Sequence, residues 1–321
     1  MLRRDLARIS LLLTAISLAG CGGHVKIVKT VPPAARPVVL DATREELLEK
    51  YNATARAVNS LNATVELKPT AGSKYSGIIE EYHEVKAFLL VQRPASIRVI
   101  GQAPVIGTTV FDMASDGETF RVSIPSKNKF LIGSVSVERA ASKPIENLRP
   151  QHLLDALLWP EVRKEETVLF EEFNEEGARY YVLTVLRGGY QTEILRKIWF
   201  DRSVLQVARL ESFGPRGILI SDTYCSNWQP VDAAGSEAPT SSVASPAQQF
   251  PRSIRIERPH DDYRLDLQIA KITLNSEIPL ERFKLEQPAG AEVIHVGEPA
   301  AENQSKQDAK PQDQKPQEPK P

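Results

Sequence analysis

The stretch from Glu166 to Trp228, ETVLFEEFNEEGARYYVLTVLRGGYQTEILRKIWFDRSVLQVARLESFGPRGILISDTYCSNW, decides the fold class of this 321-residue chain. It consists of runs rich in β-branched and aromatic residues, separated by the turn sequences NEEG, RGG and GPRG. Strands joined by such short turns are typical of an antiparallel meander. The second half of the chain is therefore predicted to form a sheet.

The residues on either side of this stretch continue the strand pattern. Asp116-Gly117 is a hairpin-turn dipeptide. After it, Phe120, Val122 and Ile124 alternate with polar residues, which is typical of a strand with one buried and one solvated face. Further strands are predicted for the runs GIIEEYHEVKAFLLVQRP, ASIRVIGQ, GTTVFDMAS, NKFLIGS, RSIRIERP and YRLDLQIAKITL.

Two segments have helical rather than strand periodicity. Thr43, followed three residues later by Glu46, forms a capping box that marks a helix start. The second helix is predicted for RPQHLLDALLWPE, which ends at Pro160. The apolar residues that share one face of the first helix are Leu47, Tyr51, Ala55 and Val58.

These elements predict an α+β fold in which a large curved antiparallel sheet carries helices over one face, like a lid. Two short helices cannot close-pack the whole of a wide sheet. We therefore expect a partly filled apolar pocket between the helices and the sheet.

The first twenty residues have the layout of a secretory signal peptide. Arg3, Arg4 and Arg8 supply a basic start, and the apolar run that follows is too short to span a bilayer. The run ends in Leu18-Ala19-Gly20-Cys21, which is similar to a bacterial lipobox. The alternatives are an uncleaved anchor and a soluble secreted protein.

In a lipobox the cysteine is alkylated with diacylglycerol and becomes the mature N-terminus, so Cys21 is predicted to be the lipidation site. More than one acyl chain is needed to hold a protein stably on a membrane. Gly22 rather than Asp follows the cysteine, which favours the outer membrane by the enterobacterial sorting rule. Cys225 then has no partner and is predicted to be a small buried apolar residue.

The rest of the chain divides into regions of different amino-acid composition. We expect a tether over 21–40, one folded domain over 41–296 with a long loop at about 233–249, and a disordered tail over 297–321 rich in Gln, Lys and Pro. The net charge of −1 gives no electrostatic case for nucleic acid as a partner.

Three local sequences resemble the lipoprotein-carrier superfamily of LolA and LolB, which also includes RseB and the LppX/LprG lipid carriers. The first is IWFDRSVLQVARLESFGPRG followed by ILISDTY, which resembles a repeated strand pair of that family. The second is the hairpin ASDGETFRVSIPSKNKFLIG. The third is the closing segment ERFKLEQPAGAEVI, with Phe283, Leu285, Pro288 and Gly290 at matching places.

The resemblance implies an incomplete β-barrel of about eleven antiparallel strands, with helices as a lid over an apolar cavity that holds acyl chains. Since this chain is predicted to be lipid-anchored, it is more similar in kind to LolB, the outer-membrane acceptor, than to soluble LolA. The candidate cavity residues are Tyr51, Phe88, Leu90, Phe120, Val122, Ile124, Leu153, Leu157, Ile198 and Phe200. Each of them could equally form a dry core.

One loop, GQAPVIGTT, carries aliphatic residues where polar turn residues are usual. LolB-type carriers have a protruding apolar loop residue, and the resemblance makes Val105 and Ile106 candidates for an analogous membrane-insertion tip. The ordinary alternative is a strand-end pair packed into the core.

The sequence contains none of the motifs G-x-S-x-G, H-E-x-x-H or the P-loop, and its five histidines have no metal-ligand spacing. We expect a binding protein without enzymatic activity, cofactor or metal. The predicted function is to accept or sort lipoproteins or lipids at the periplasmic face of the outer membrane, with acyl chains and a periplasmic carrier protein as partners. The alternative is a non-transporting envelope lipoprotein, either an RseB-like sensor or a structural interaction module.

Overall fold

A computed structural model of the chain describes residues 39–73, 78–136, 147–175, 178–231 and 248–296. These residues form two α-helices and one sheet of fifteen strands. The predictions for the signal peptide, for Cys21, for most of the tether and for the tail fall outside the described residues. So does the predicted low-complexity loop, apart from its last two residues, which begin a strand.

The helices form where capping and proline placement favour them. Helix α1 spans Arg44–Ala57, and the predicted capping box is present: the Glu46 N–H donates to Thr43 Oγ1 at 3.2 Å and the Thr43 N–H donates to Glu46 Oε2 at 2.8 Å. Helix α2 spans Pro150–Leu157 and starts on a proline, a position where no N–H is needed. Among the described residues, no helix is long and apolar enough to span a bilayer.

Most strands that are neighbours in the chain are joined by short connections, whereas the segment from β7 to β8 is long and contains α2. Their spatial order is β15-β7-β6-β5-β4-β3-β1-β14-β13-β12-β11-β10-β9-β8, and β2 pairs with β1. Their bounds are β1 Ser60–Ser73, β2 Ile78–Glu81, β3 Val85–Gln92, β4 Ser96–Gln102, β5 Thr109–Ser115, β6 Thr119–Ile124, β7 Lys129–Ser134, β8 Thr167–Glu175, β9 Ala178–Arg187, β10 Glu193–Asp201, β11 Gln206–Phe213, β12 Leu219–Val231, β13 Gln248–Arg258, β14 Tyr263–Leu274 and β15 Glu292–Val296.

The predicted fold class, a large curved sheet with two helices, is confirmed. The described chain has fifteen strands rather than about eleven, and the sheet stays open because its end strands β8 and β15 do not pair with each other. All pairs are antiparallel except β15, which runs parallel to β7. The run predicted as one strand before Pro94 is divided into β2 and β3.

Both helices pack on the same face of the sheet, which we call the helix face. Beneath α1, Leu47, Tyr51 and Ala55 pack against apolar residues of β9 to β12. Beneath α2, Leu153, Leu154 and Leu157 pack against β1, β3 to β6, β13 and β14. The core therefore lies between one sheet face and two short helices.

The opposite face, which we call the outer face, is partly covered by the segment after β14. Phe283 packs against Leu90 and Ile278, and Leu285 packs against Ala114 and Phe130. Burying a side chain of this size contributes roughly 1.5–3 kcal/mol. This segment then leads into β15 at the edge of the sheet.

The strand directions define two ends of the sheet. The β4–β5 loop lies at the same end as the start of β8 and is called the tip end. The chain enters the fold at the other end, where the Leu40 N–H donates to the Arg202 carbonyl at 2.8 Å in the β10–β11 turn. We call this the entry end.

Candidate functional site

Eight of the ten candidate cavity residues lie on the helix face. Tyr51, Ile198 and Phe200 belong to the core beneath α1. Phe120, Val122, Leu153 and Leu157 belong to the core beneath α2, and Ile124 packs against that core. Apart from Ile124, all of them are buried. The sequence therefore identified the inner surface of the lid and sheet, but in this structure those residues contact one another.

Phe88 and Leu90 require a correction, because they lie on the outer face. In β3 the residues that face the helices are Val85, Ala87, Leu89 and Val91, whereas Leu90 packs under the C-terminal segment. The parity of this strand that faces the helices is apolar throughout, whereas the other parity also carries Lys86 and Gln92. Alternation along the strand therefore distinguishes the two faces, and Phe88 and Leu90 cannot line a cavity beneath the helices.

Little space remains where the two helices meet above the sheet. A gap where α1, α2 and β13 meet, lined by residues that include Val58, Leu157 and Phe250, has a volume of about 10 Å³. A cavity needs about 10–15 Å³ to hold one water molecule. This gap cannot admit an acyl chain unless a helix moves.

Polar contacts fasten α1 to the residues that follow α2. The Tyr51 hydroxyl donates to the Pro160 carbonyl at 2.9 Å. The Asn52 amide is paired twice with Val162: its Nδ2 donates to the Val162 carbonyl at 3.1 Å and its Oδ1 accepts from the Val162 N–H at 2.8 Å. Burial raises the pKa of Tyr51 well above its usual range, so the hydroxyl stays a neutral donor.

Arg93 closes the C-terminal end of α1. Its guanidinium donates to the carbonyls of Ala55 and Val58, which the helix leaves unpaired, and to the carbonyl of Trp159 at 2.9 Å. The contacts Tyr51–Pro160, Asn52–Val162 and Arg93–Trp159 are called the lid clamp. Neither Asn52 nor Arg93 is predicted from the sequence, because polar contacts between distant segments leave no periodic signal.

A groove of about 750 Å³ opens beside the clamp, between α1 and residues 160–166. Arg196 lies in its lining and is 9% exposed. Its Nη2 donates to Glu166 Oε2 at 2.8 Å and to the Glu161 carbonyl at 2.9 Å, whereas its Nε has no partner among the described residues. Charged side chains of both signs make this groove unsuitable for an acyl chain.

The β4–β5 loop presents two aliphatic side chains to solvent. Val105 is 95% exposed and Ile106 is 77% exposed. The loop is closed by hydrogen bonds from the Ala103 N–H to the Thr108 carbonyl at 2.9 Å and from the Gly107 N–H to the Ala103 carbonyl at 3.0 Å. Gly107 has a φ of 66°, which a glycine adopts without strain. The alternative of a pair tucked into the core does not hold.

The described residues contain no cluster of three or more His, Cys, Asp or Glu side chains that could hold a metal ion. Cys225 is buried beneath α1, and burial raises the pKa of its thiol to about 12. At neutral pH the thiol is therefore protonated and unreactive.

No family model and no curated protein matches the sequence. Solved structures with a similar fold include a LolA superfamily protein from Nitrosomonas europaea, at 14% identity and a TM-score of 0.44, covering 76% of this chain and 99% of that one. A DUF1329 family protein from Desulfovibrio piger matches at 13% identity and a TM-score of 0.45, covering 74% and 94%. The structure of MucB matches at 13% identity and a TM-score of 0.23, covering 74% and 62%.

A LolA superfamily protein is thus among the solved structures that are similar to this chain. At these identities and TM-scores the likeness transfers no ligand or activity to this chain. Kinship with LolB in particular stays a prediction.

Proposed function

We propose that this protein is an envelope lipoprotein, anchored through Cys21, that binds acyl chains between its helices and its sheet and accepts or sorts lipoproteins or lipids at the outer membrane. The observation that carries the proposal is the Val105–Ile106 tip. Exposure of two adjacent aliphatic side chains to water is unfavourable. Contact with a membrane or with an apolar cargo would bury them.

In this proposal the acyl chain takes the place of α1 on the helix face. The helix buries Leu47, Tyr51 and Ala55 against β9 to β12, and a hydrocarbon chain would keep the same apolar surface from water, at about 25 cal/mol per Å². The hydrogen bonds of the lid clamp would have to break before the helix could move away from the sheet. Ile198 and Phe200, the candidate residues of the sheet beneath α1, would then line the site.

The binding step is tested by extracting lipid from the chain that begins after Cys21, exported to the periplasm and purified without detergent. We expect mass spectrometry to find acyl lipid at a stoichiometry near one. A fluorescent fatty acid should bind the same preparation and be displaced by that lipid. Absence of both bound lipid and fatty-acid uptake would eliminate the carrier proposal.

The membrane step is tested by replacing both tip residues, Val105→Ser and Ile106→Ser, and measuring binding to vesicles of phosphatidylethanolamine and phosphatidylglycerol. Each side chain contributes roughly 1.5–3 kcal/mol when fully buried, so we expect vesicle affinity to fall by tenfold or more. Val204→Ser is the matched control, because Val204 is 54% exposed but lies in the β10–β11 turn at the entry end. Equal losses in both variants would contradict a specific role for the tip.

The filled interior favours a second candidate, a non-transporting envelope lipoprotein that acts as a sensor or interaction module. The 10 Å³ gap leaves no room for a ligand in this conformation. In that case the tip would bind a protein partner, and the purified chain would carry no lipid. The unsubstituted chain, used as bait in envelope extracts, would then recover a protein partner. The variant with both tip residues replaced, used as the negative control, would not recover it.

A further inference from the structure

The groove between α1 and residues 160–166 has the dimensions of a ligand site. Its volume of about 750 Å³ lies within the range of small-molecule sites in proteins. Asn52, Pro160 and Val162, which belong to the lid clamp, also line the groove. A molecule bound there would therefore lie directly against the contacts that hold α1 on the sheet.

The carboxylates of the groove are all paired, whereas two of its cations are not. Each glutamate in the lining forms an ion pair with an arginine. The pairs are Glu45–Arg44 at 2.6 Å, Glu49–Arg56 at 2.7 Å, Glu161–Arg56 at 3.2 Å and Glu166–Arg196 at 2.8 Å. The side chains of Arg163 and Lys164 line the same groove, are exposed, and form no ion pair with another described residue. The groove therefore presents open positive charge to a ligand.

Arg196 on β10 adds a buried cation to this lining. It is 9% exposed, and its hydrogen bonds to Glu166 Oε2 and to the Glu161 carbonyl both come from Nη2. Its Nη1 donors are left for a ligand. A guanidinium with open donors suits the oxygens of a phosphate, and a buried position strengthens such a bond because the local dielectric is low.

The groove also has an apolar part that is continuous with the core. Val162 is buried in the core beneath α1, and Leu48 packs against that core. Both side chains line the groove. A molecule that placed an anionic group among the cations would therefore have its neighbouring carbon atoms beside α1, where an apolar surface continues beneath the helix.

We propose that the groove binds the phosphate of a phospholipid head group, with Arg163 and Lys164 as the exposed contacts and Arg196 as the buried one. This assignment rests on the proposed function and deepens it, because it gives the polar part of the lipid a site beside the acyl chains. A soluble phosphate ester offers the same anion but would leave Leu48 and Val162 without a partner.

Head-group binding would also act on the lid clamp. Arg196 donates to the Glu161 carbonyl, and the next residue, Val162, is paired with Asn52 of α1. A phosphate that draws Arg196 away from this carbonyl would loosen the segment that holds Asn52. The lid would then open more readily when a phospholipid is present than when it is absent.

Titration with short-chain ligands that stay monomeric in water tests the site. The chain that begins after Cys21 is titrated in a calorimeter with dihexanoyl phosphatidylglycerol, with dihexanoylglycerol, which lacks the phosphate, and with inorganic phosphate. We expect the phospholipid to bind roughly tenfold or more tightly than dihexanoylglycerol, because hydrogen bonds between charged groups are strong. Inorganic phosphate should compete, but more weakly than the phospholipid, because it makes no apolar contact.

Removal of the exposed cations should weaken binding of the phospholipid. Arg163→Ala with Lys164→Ala leaves the core intact, and we expect the affinity for dihexanoyl phosphatidylglycerol to fall by roughly tenfold or more. The matched control is Lys127→Ala with Lys271→Ala, which removes two exposed cations that do not line the groove. The control should leave the affinity unchanged.

Glu166→Gln should have the opposite effect. The substitution removes a negative charge beside Arg196 but keeps an oxygen that can accept from the Arg163 N–H, so the segment should keep its conformation. Affinity for the phospholipid should rise severalfold, because the carboxylate no longer repels the phosphate. A purely structural role for Arg196 would predict no such gain.

Three results would overturn the proposal: equal affinity for the phospholipid and for dihexanoylglycerol, equal losses in the two double variants, or no gain in Glu166→Gln. Inorganic phosphate that binds as tightly as the phospholipid would overturn the assignment to a lipid. Uptake of a fatty acid, which has no phosphate, reports on the acyl site alone. If the fatty acid binds but the phosphate adds no affinity, only the head-group site fails; if the groove cations bind phosphate but no fatty acid is taken up, only the proposed function fails.

Discussion

Replacement of Asn52 by alanine would show whether α1 is held on the sheet as a removable lid. The substitution deletes both hydrogen bonds to Val162, of 3.1 and 2.8 Å, and leaves an N–H and a carbonyl that have lost their partners. Each such hydrogen bond contributes about 1 kcal/mol net, so the free energy of unfolding should fall by about 2 kcal/mol. Water from the adjacent groove would replace part of the loss, which sets the lower bound at about 1 kcal/mol.

The assay is urea unfolding, followed by tryptophan fluorescence because Trp159 is buried against Tyr51. Asn62→Ala is the matched control, since Asn62 is exposed in β1 and a surface substitution of this kind changes stability by less than about 0.5 kcal/mol. If α1 opens separately from the sheet, 2 kcal/mol lost from the closed state raises its opening equilibrium by up to roughly thirtyfold. Amide exchange in α1 should accelerate accordingly, and fatty-acid uptake should become faster.

Two results would refute this reasoning. If Asn52→Ala were no less stable than Asn62→Ala, the clamp would contribute nothing to closing the lid. If stability fell but the amides of α1 exchanged no faster relative to those of the central strands, α1 would open only with global unfolding. A lid that must lift to admit a ligand would then be excluded.

Other consequences of the packing can be measured independently. Gly133→Ala should lower the free energy of unfolding by about 1–3 kcal/mol, because the new Cβ would lie 2.6 Å from the Phe120 ring. Gly188→Ala is the control, since open space surrounds Gly188, and it should lower the stability measured by thermal unfolding far less. Cys225 should fail to react with a thiol reagent until guanidinium unfolds the chain, since burial raises its pKa to about 12. Burial also lowers the pKa of His152 well below its usual range, so below about pH 6.5 the unfolded chain binds a proton that the folded chain does not. The free energy of unfolding should therefore decrease as the pH falls through this region, and His152→Gln should reduce that decrease in urea titrations at pH 5 to 7.

The closed interior and the exposed tip together suggest an order of events for a carrier. The tip needs no rearrangement to meet a membrane, because Val105 and Ile106 are already exposed. An acyl site beneath the helices would need one, because α1 and α2 cover the helix face. Membrane contact would come first, and lid opening would follow where a hydrocarbon environment is available to receive or supply the chain.

Local sequence was sufficient for everything that depends on neighbouring residues. The capping box at Thr43 and Glu46, the second helix before Pro160 and the alternation of Phe120 with Val122 each depend on a few neighbouring residues, and the structure contains all three. The α+β class follows from them, because periodicity and turn chemistry are properties of short segments. Val105 and Ile106 stand out in the same way, as aliphatic residues at a turn, and the structure exposes both.

Tertiary structure alone decided what depends on residues far apart in the chain. Leu90 is buried on the outer face only because a segment nearly two hundred residues later covers that side of β3. Arg93 and Asn52 serve the lid clamp because the fold brings residues 159–162 to them. Whether the helix face is hollow or filled depends on how side chains of many strands interdigitate beneath the helices. That is a property of packed volume, and alternation along a single strand carries no information about volume.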